Sequence, residues 1–271
     1  MPTTVIAPRR SLMSVNLREL WAGRDLLRFL TLRDIQVRYK QTLIGVAWAV
    51  LQPLVTTAIF TVIFGTFGRF DTGSTPYPAF VLCGLSIWMF VYGAITVASV
   101  SFVNNATLVT KVYFPRLLVP ISATLALTLD LAISLLLLVL VSMYFGVEVT
   151  TYLLLAPIFI LLTCILAVSL GIMLSALTVR FRDVKFLVPF TLQIWMVASP
   201  IFYPLGIIPE KWRLIFAINP LVGIIDGFRS AVFGYPPHWP IVIASTVSVA
   251  VIAVVSLVVF RAMEDDFADV I

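Results

Sequence analysis

The sequence predicts an all-α integral membrane protein with six transmembrane helices, an N-terminal amphipathic interface helix and a re-entrant helical hairpin between spans five and six. Of the 271 residues, 61% are hydrophobic and 11% are charged, and the mean hydropathy is +1.08, whereas soluble domains carry about 25% charged residues. The charges lie in short segments between long apolar runs, and about 20 apolar residues suffice to cross a bilayer. We therefore expect one membrane domain, without room for a second, soluble one.

Residues 1–43 are predicted to form a cytoplasmic segment with an amphipathic helix on the inner membrane surface. Asn16 can cap this helix, and apolar residues recur at helical spacing from Leu17 to Val37, interleaved with arginines. The alternative is a tail that anionic lipid alone holds at the surface. A basic stretch from Arg33 to Lys40 precedes the first span, and Lys and Arg next to a span keep that end in the cytoplasm.

Six apolar segments are the predicted spans, and together they form a membrane domain over residues 44–260. Their bounds are 44–68, 79–103, 117–146, 151–179, 186–203 and 241–260. Pro53 is expected to kink the first span. Residues 104–116 are too polar to cross and are expected to hold a short cytoplasmic helix that ends before Pro115. Residues 261–271 are predicted to be an acidic cytoplasmic tail.

The distribution of basic residues predicts the orientation. Fourteen of the eighteen Lys and Arg residues lie in segments assigned to the inside, and four lie outside. Because cytoplasmic loops are enriched in Lys and Arg, both termini are expected in the cytoplasm. The net charge of +5 sits beside apolar spans, so membrane lipid, and not nucleic acid, is its expected partner.

The loop after the fifth span, residues 204–240, is predicted to contain two short helices. Pro209 can begin the first, while Asn219 can cap the second, with Pro220 at its first position and Gly234 at its end. Each helix is too short to cross the membrane but suits a re-entrant hairpin that acts as a lid or gate. The alternative is an interfacial cap packed on the bundle.

The sequence argues against an enzyme and against a pump with its own nucleotide site. No Gly is followed by Lys, so the phosphate-binding loop G-x-x-x-x-G-K-[ST] is absent and ATP hydrolysis must reside on another polypeptide. His238 is the only histidine and is expected at the surface, so neither a histidine-based triad nor a His/Cys metal site can form. Nothing in the outer loop fixes the distance between Asp226 and Glu210, so we do not expect them to act as an acid–base pair.

Asp130 is the only ionisable residue expected inside a span. No Lys or Arg lies mid-span to pair with it, so it is expected to be protonated, to face a wet interior, or to bond to Ser or Thr of neighbouring helices. A packing or folding role is favoured. A proton-coupled carrier that uses Asp130 stays an alternative.

Aromatic residues near the span ends could line a path for sugars, because their apolar ring faces stack on sugar rings. The candidate channel aromatics are Trp48, Trp88, Trp195, Phe202 and Tyr203. For each of them, the alternative is an aromatic belt at the membrane interface.

Five motifs, in order along the chain, resemble those of the membrane subunit of type-two ABC exporters. They are R-Y-K-Q-T-x-x-G-x-x-W-x-x-x-x-P (Arg38 to Pro53), F-R-D-V-K (Phe181 to Lys185), L-Q-I (Leu192 to Ile194), S-P-I-F-Y (Ser199 to Tyr203) and N-P (Asn219 and Pro220). More narrowly, the sequence is similar to permeases that export polysaccharides or polyol phosphates, such as O antigen, capsule or teichoic acid.

The resemblance implies a homodimer of this chain with two copies of a separate ABC ATPase, which would bind ATP and Mg; no cofactor is expected on this chain. ATP-driven closure of the ATPases would move short helices seated in their clefts. The implied sites are ATPase contacts at Asn105, Leu108, Lys111 and Tyr113, a supporting cytoplasmic loop at Arg180, Arg182, Asp183 and Lys185, and a periplasmic gate at Trp212, Asn219, Pro220 and Phe228. Arg33, Arg38 and Lys40 could hold a lipid pyrophosphate at the inner entrance, or anchor the chain to lipid.

The expected function is therefore ATP-driven export of an undecaprenyl-linked polysaccharide across the bacterial cytoplasmic membrane. O antigen is the first expectation, with capsule and teichoic acid as the others. The alternatives are the carrier described above and a membrane-embedded transferase of glycan assembly.

Overall fold

The computed structural model describes residues 17–40, 45, 47–68, 70, 72–73, 75–264 and 267. The predicted cap at Asn16, the predicted start of the first span at residue 44 and most of the predicted tail lie outside these residues. Within them all regular secondary structure is helical, which confirms the predicted all-α class.

The helices follow one another with short connections. In the described part of the chain they are α1 (Leu17–Ala22), α2 (Arg24–Tyr39), α3 (Ala47–Phe60), α4 (Tyr77–Ser99), α5 (Ser101–Asn104), α6 (Ala106–Lys111), α7 (Leu118–Ala126), α8 (Thr128–Tyr144), α9 (Ala156–Arg180), α10 (Val184–Val197), α11 (Glu210–Phe216), α12 (Pro220–Phe233) and α13 (Trp239–Met263). A π-helical stretch, Thr61–Phe67, continues α3, and 3₁₀ turns at Thr151–Leu155 and Leu205–Ile207 precede α9 and α11.

Five helical segments of the described chain are long and apolar enough to cross a membrane. They are Ala47–Gly65, Tyr77–Ser99, Leu118–Tyr144, Thr151–Arg180 and Trp239–Met263. The pair α11 and α12, bent by 111°, makes six if it is counted as one span. These helices confirm a multi-pass membrane protein.

The predicted fifth span is shorter in the structure than in the sequence analysis. It corresponds to α10, whose 14 residues reach only about 21 Å at 1.5 Å per residue, less than the roughly 30 Å of a bilayer core. The helix ends at Val197 rather than at the predicted boundary, Tyr203. Pro200 favours the early end, because proline has no N–H to bond to the carbonyl four residues earlier and restricts the backbone of the residue before it, although α10 accommodates Pro189 in its interior.

α4 is the central helix of the bundle. Its residues are apolar on all sides and most of them are buried, as expected for a helix enclosed by others. It packs against α3, α7, α8, α9, α10 and α12. Phe90 of α4, Phe159 of α9 and Phe228 of α12 belong to the same buried cluster.

The predicted third span is one helical segment, Leu118–Tyr144, with a local irregularity at Leu127, between α7 and α8. Side-chain hydroxyls next to the irregularity bond backward to the main chain, with Thr124 Oγ1 donating to Pro120 O and Thr128 Oγ1 to Leu125 O. Such bonds weaken and bend helices. Asp130 lies in the first turn of α8, near the middle of the helical segment Leu118–Tyr144.

The two ends of the bundle have separate cores. At one end, which we call the coupling end, Phe102, Val109, Leu117, Val179 and Phe260 cluster around the short helix α6. At the other, the hairpin end, Leu205, Ala217, Val222 and Ile241 pack under α11. The predicted short helix after the second span is present, as α6, and stops before Pro115.

The described part of the predicted tail belongs to the fold. Phe267 is buried at the coupling end, with its ring centroid 5.0 Å from that of Phe102. Arg116 donates a hydrogen bond to the carbonyl oxygen of Glu264. This packing could not be predicted from the sequence, because Phe267 is a single apolar residue among acidic ones.

Candidate functional site

A cleft of about 550 Å³ opens between the end of α2 and helices α3, α4, α8 and α10. Its wall combines polar and aromatic side chains. The polar ones include Arg38, Gln52, Thr96, Asp130 and Gln193, and the aromatic ones include Trp48, Trp88 and Tyr92. A concave site of this size with a few polar groups among rings is typical of a small-molecule site.

Arg38 and Asp130 form an ion pair at this cleft. Arg38 Nη2 lies 2.8 Å from Asp130 Oδ2, and the two side chains are 39% and 19% exposed. The expectation that Asp130 lacks a basic partner was wrong. The partner comes from α2, which packs along α7.

The three predicted entrance residues do not share one site. Arg33 is bound by its neighbour Asp34, whose Oδ1 accepts from Arg33 Nε at 3.0 Å and from Nη2 at 2.7 Å. Lys40 is exposed just after α2. Of the three, only Arg38 lines the cleft.

The five candidate channel aromatics divide into two groups. Trp48 and Trp88 line the cleft, and Tyr92, which lies 6.1 Å from Trp88 between ring centroids, joins them. Trp195, Phe202 and Tyr203 lie at or near the turn that follows α10. Trp195 links the groups, because its ring meets Trp88 edge-on at 6.2 Å while its Nε1 donates to Asn219 Oδ1 at 2.8 Å.

The turn after α10 is held by side chains from other helices. Arg229 donates from Nη1 to Pro200 O and from Nη2 to Ile201 O, each at 2.6 Å. Asn219 Nδ2 donates to Ala198 O at 3.2 Å, and the Tyr77 hydroxyl donates to Phe202 O at 2.7 Å. Helix C-termini leave such carbonyls unsatisfied. Here the side chains satisfy them and join the end of α10 to α4 and α12.

Arg229 is the residue of this region that the sequence analysis missed. It is 2% exposed, its Nη2 also donates to Phe80 O at 3.2 Å, and its guanidinium lies 3.5 Å from the Phe80 ring centroid. A buried charge requires such a set of hydrogen bonds. The sequence did offer a signal for it: Arg229 lies in an apolar helix predicted to dip into the membrane. A cation at that depth is costly in free energy, so it is expected to have specific partners.

The predicted hairpin helices are present, and their ends follow the predicted caps. Asn219 Oδ1 accepts from Leu221 N at 3.1 Å at the start of α12, Pro220 is the first residue of α12, and Gly234 ends it at φ +78°. α12 is buried along most of its length. Gly223 allows α12 to approach α13 closely, because a Cβ on residue 223 would lie 2.7 Å from the Ile241 carbonyl oxygen.

The predicted gate residues therefore have different surroundings. Pro220 and Phe228 are buried in α12, and Asn219 joins Trp195 to the turn after α10. Trp212 is exposed on α11. α12 is part of the core, whereas most of α11 is exposed at the surface.

Asp226 and His238 form a pair at the hairpin end. His238 Nδ1 lies 2.9 Å from Asp226 Oδ2, which is buried, while half of the His238 side chain is exposed. The hydrogen bond to Asp226 raises the pKa of His238, and burial and Arg213 oppose the rise. Asp226 is thus bound to His238, and Glu210 lies 3.6 Å from Arg213.

The predicted ATPase contacts lie on and around α6. Asn105 donates from Nδ2 to Ser101 O at 2.8 Å, Leu108 is half-buried, Lys111 is exposed and Tyr113 is 85% exposed. The predicted support residues, Arg180, Arg182, Asp183 and Lys185, are all exposed in and beside the α9–α10 connection. Both segments adjoin the cluster at the coupling end, which includes Val109 and Val179.

The sequence profile of a known family, described as "ABC-2 type transporter", matches residues 25–233. The chain belongs to the ABC-2 type transporter family. It is therefore the permease of an ABC transporter, a transport subunit that works with an ABC ATPase, and the predicted type-two ABC permease is confirmed.

Several curated ABC-2 relatives are similar along most of this chain. The O-antigen export system permease protein RfbA of Myxococcus xanthus is 27% identical over 256 residues, which cover 93% of this chain and 97% of the relative. A protein of the same name from Klebsiella pneumoniae is 26% identical over 248 residues, or 91% and 95% of the two chains. The polysialic acid transport protein KpsM of Escherichia coli is 29% identical over 212 residues, or 76% and 81%.

Proposed function

We propose that this chain is the permease of an ABC exporter that moves a lipid-linked polysaccharide, O antigen in the first place, across the bacterial cytoplasmic membrane. The observation that carries the proposal is the similarity to O-antigen export permeases over more than nine-tenths of both chains. Capsule export is the second candidate, because the similarity to a polysialic acid transport protein covers about three quarters of this chain.

The proposed assembly contains two copies of this chain and two copies of the ATPase, which binds ATP and Mg. Support for the homodimer comes from α3 and α10. Apolar side chains such as Leu51, Val55, Phe190 and Ile194 are exposed on these helices, and the same helices carry Gln52 and Gln193 at the cleft. Lipid tails cannot satisfy amide groups, so a second copy is a better cover for this face than lipid alone.

We place the ATPase at the coupling end of the bundle. The exposed side chains of Lys111 and Tyr113 suit a contact with a partner, while the buried Val109 fixes α6 to the bundle. Movement of a docked α6 would be transmitted through this core to α7, α9 and α13. With this end inside, both termini are cytoplasmic, and the basic α9–α10 loop obeys the preference of Lys and Arg for the cytoplasm.

At the hairpin end, we assign the role of gate to α11 rather than to the whole hairpin. α12 is bound to the turn after α10 through Arg229 and Asn219, so these parts move together. α11 is mostly exposed and carries Trp212, Leu214 and Ile215 on its surface.

The proposal is tested in the organism by deleting this gene and complementing the deletion. We expect surface polysaccharide to disappear, to return with the wild-type gene, and an ABC ATPase to co-purify with the tagged permease. Surface polysaccharide that persists after deletion, with no ATPase in the purified fraction, would contradict it.

A further inference from the structure

We propose that the chain end after α13 positions α6 for the ATPase, and that Phe267 and Arg116 are the positioning residues. Glu264 and Phe267, which we call the tail anchor, make the contacts that carry this proposal. The inference rests on the proposed function, because it requires an ATPase docked on α6. It adds to that function a coupling role for residues that lie beyond the last span.

α6 is too short to hold its position by itself. It has six residues, and of these, all of which the structure describes, Val109 alone is buried. Helices shorter than about 12–15 residues are marginally stable in water unless tertiary contacts support them. The position of α6 therefore depends on how the chain is held on either side of it.

The chain that enters α6 is held by a group of three buried rings. Phe102 belongs to α5, which ends just before Asn105, the N-cap of α6. The ring centroid of Phe102 lies 5.0 Å from that of Phe267 and 6.1 Å from that of Phe260, and the rings of Phe260 and Phe267 meet edge-on at 5.6 Å. All three side chains are at most 1% exposed, and aromatic pairs at such distances stabilise one another. The tail anchor thus supplies one ring of the cluster that fixes the entry to α6.

The chain that leaves α6 contacts the same tail anchor through Arg116. Arg116 Nη1 donates a hydrogen bond to the carbonyl oxygen of Glu264, the C-cap of α13, and its guanidinium carbon lies 5.8 Å from the ring centroid of Phe267. Carbonyl groups at a helix C-terminus lack partners within the helix, and a cation near them is favourable. Both sides of the α6 segment therefore meet at Phe267, which Phe102 contacts with its ring and Arg116 with its cation.

Glu264 fixes the tail anchor to a membrane-spanning helix. Its carboxylate forms an ion pair with Arg261 of α13, and the side chains of Glu264 and Arg261 are 9% and 7% exposed. α13 packs along α9 and along α12 of the hairpin. Displacement of α6 by a docked ATPase would thus be passed to the end of α13 and, through α13, to α12. Loss of the tail anchor would loosen this connection.

The test compares variants of the full-length permease in complex with its ATPase. Phe267→Ala removes the ring of the tail anchor, and Arg116→Met removes the donor and the cation while keeping a long, unbranched side chain. Hydrogen–deuterium exchange is measured on the complex in nanodiscs, and polysaccharide exported per ATP hydrolysed is measured in proteoliposomes. In each variant we expect amide exchange of residues 105–112 to be at least about tenfold faster and export per ATP to fall at least about threefold, with the ATPase still co-purifying.

Three further variants separate the positioning of α6 from general destabilisation. Val249→Ala deletes buried methyl groups from the middle of α13, away from the tail anchor, so it should lower Tm but leave the exchange of α6 and the export per ATP as in the wild type. Phe267→Leu keeps an apolar side chain without the ring and should show a smaller effect than Phe267→Ala, which it replaces if the alanine variant does not fold. In the double variant of Arg116→Met and Phe267→Ala, the effect on exchange should be smaller than the product of the single effects, because each change removes one side of the same contact.

The positioning role would be ruled out by unchanged exchange of α6 in both single variants, by unchanged export per ATP in both, by an equal loss of export per ATP in Val249→Ala, or by single effects that multiply in the double variant. The exchange of α6 is measured without any transport, so it decides on the tail anchor even where the wild type exports no polysaccharide, an outcome that would contradict the proposed function alone. A wild type that exports, with variants that behave as it does, would exclude the tail anchor as a positioning element and leave the proposed function intact.

Discussion

Arg38, at the end of α2, lies 2.8 Å from Asp130, just after the irregularity between α7 and α8. This contact joins the N-terminal segment to a membrane-spanning helix beside the cleft. α2 also packs along α7. The ion pair and the contact between these two helices therefore both hold the N-terminal segment against the third span.

Reversing the charge of either Arg38 or Asp130 should lower the stability of the protein, and exchanging the two residues should restore it. Arg38→Asp and Asp130→Arg each place like charges together. Since Arg38 is more than one-third exposed, we expect a loss of about 1 kcal/mol, or roughly 2–4 °C in Tm, and reduced export. The double variant should recover both Tm and export, whereas Arg28→Asp, an exposed position on α2, should change little. Failure of the double variant to recover would show that the pair does not act as a unit.

The Asp226–His238 contact predicts a small dependence of stability on pH at the hairpin end. Its hydrogen bond raises the pKa of His238 above 6.5, so its contribution is complete below pH about 6.5 and is lost as the pH rises through the raised value. Because half of the histidine side chain is exposed, we expect less than about 1 kcal/mol. The Tm values of the wild type and of His238→Gln, measured from pH 5.5 to 8.5, should differ most at the acidic end of this range. Parallel profiles for the two proteins would be inconsistent with this prediction.

Replacing Arg229 should destabilise the protein severely. Arg229→Met leaves the carbonyl groups of Pro200 and Ile201 without their donor, at about 1–3 kcal/mol each. Arg229→Lys keeps the charge, but a single ammonium group cannot reproduce the fork of donors. The measurement is Tm in detergent, with Lys211→Met, an exposed cation of α11, as the control. A Tm of Arg229→Met within a degree of the wild type would mean that the turn after α10 does not depend on Arg229.

The exposed residues around α6 should affect coupling rather than folding. Tyr113→Ala and Lys111→Glu are expected to reduce export per ATP hydrolysed while leaving Tm unchanged, because both side chains are exposed. Tyr144 provides a matched control, since it is 84% exposed, like Tyr113 at 85%, but lies at the end of α8 away from α6. Normal export in both α6 variants would mean that this segment is only a connector.

Local signals in the sequence were sufficient for much of the fold. Apolar runs located the spans, and the second hairpin helix follows from three positions: Asn219 as N-cap, Pro220 as first residue and Gly234 as the left-handed end. Each of these depends on the backbone of its immediate neighbours. The extent of α10 was overestimated because hydropathy does not register the effect of Pro200 on a helix.

The side-chain pairs of the candidate site could not be predicted in the same way. Arg38 and Asp130 are far apart in sequence, and their contact depends on how α2 packs against α7. Arg229 was counted among the residues of an outer loop, because its burial arises only when α12 packs against α4, α9 and α13. Such contacts belong to tertiary structure, whereas caps and apolar runs belong to the local chain.

The most direct test of the account is transport by proteoliposomes that contain this permease and its ATPase. The measured quantity is the appearance of undecaprenyl-linked polysaccharide on the far side of the membrane, detected by a membrane-impermeant lectin. We predict transfer that requires ATP and both polypeptides. Transfer driven by a proton gradient without the ATPase, or no transfer of any polysaccharide when ATP is hydrolysed, would contradict it.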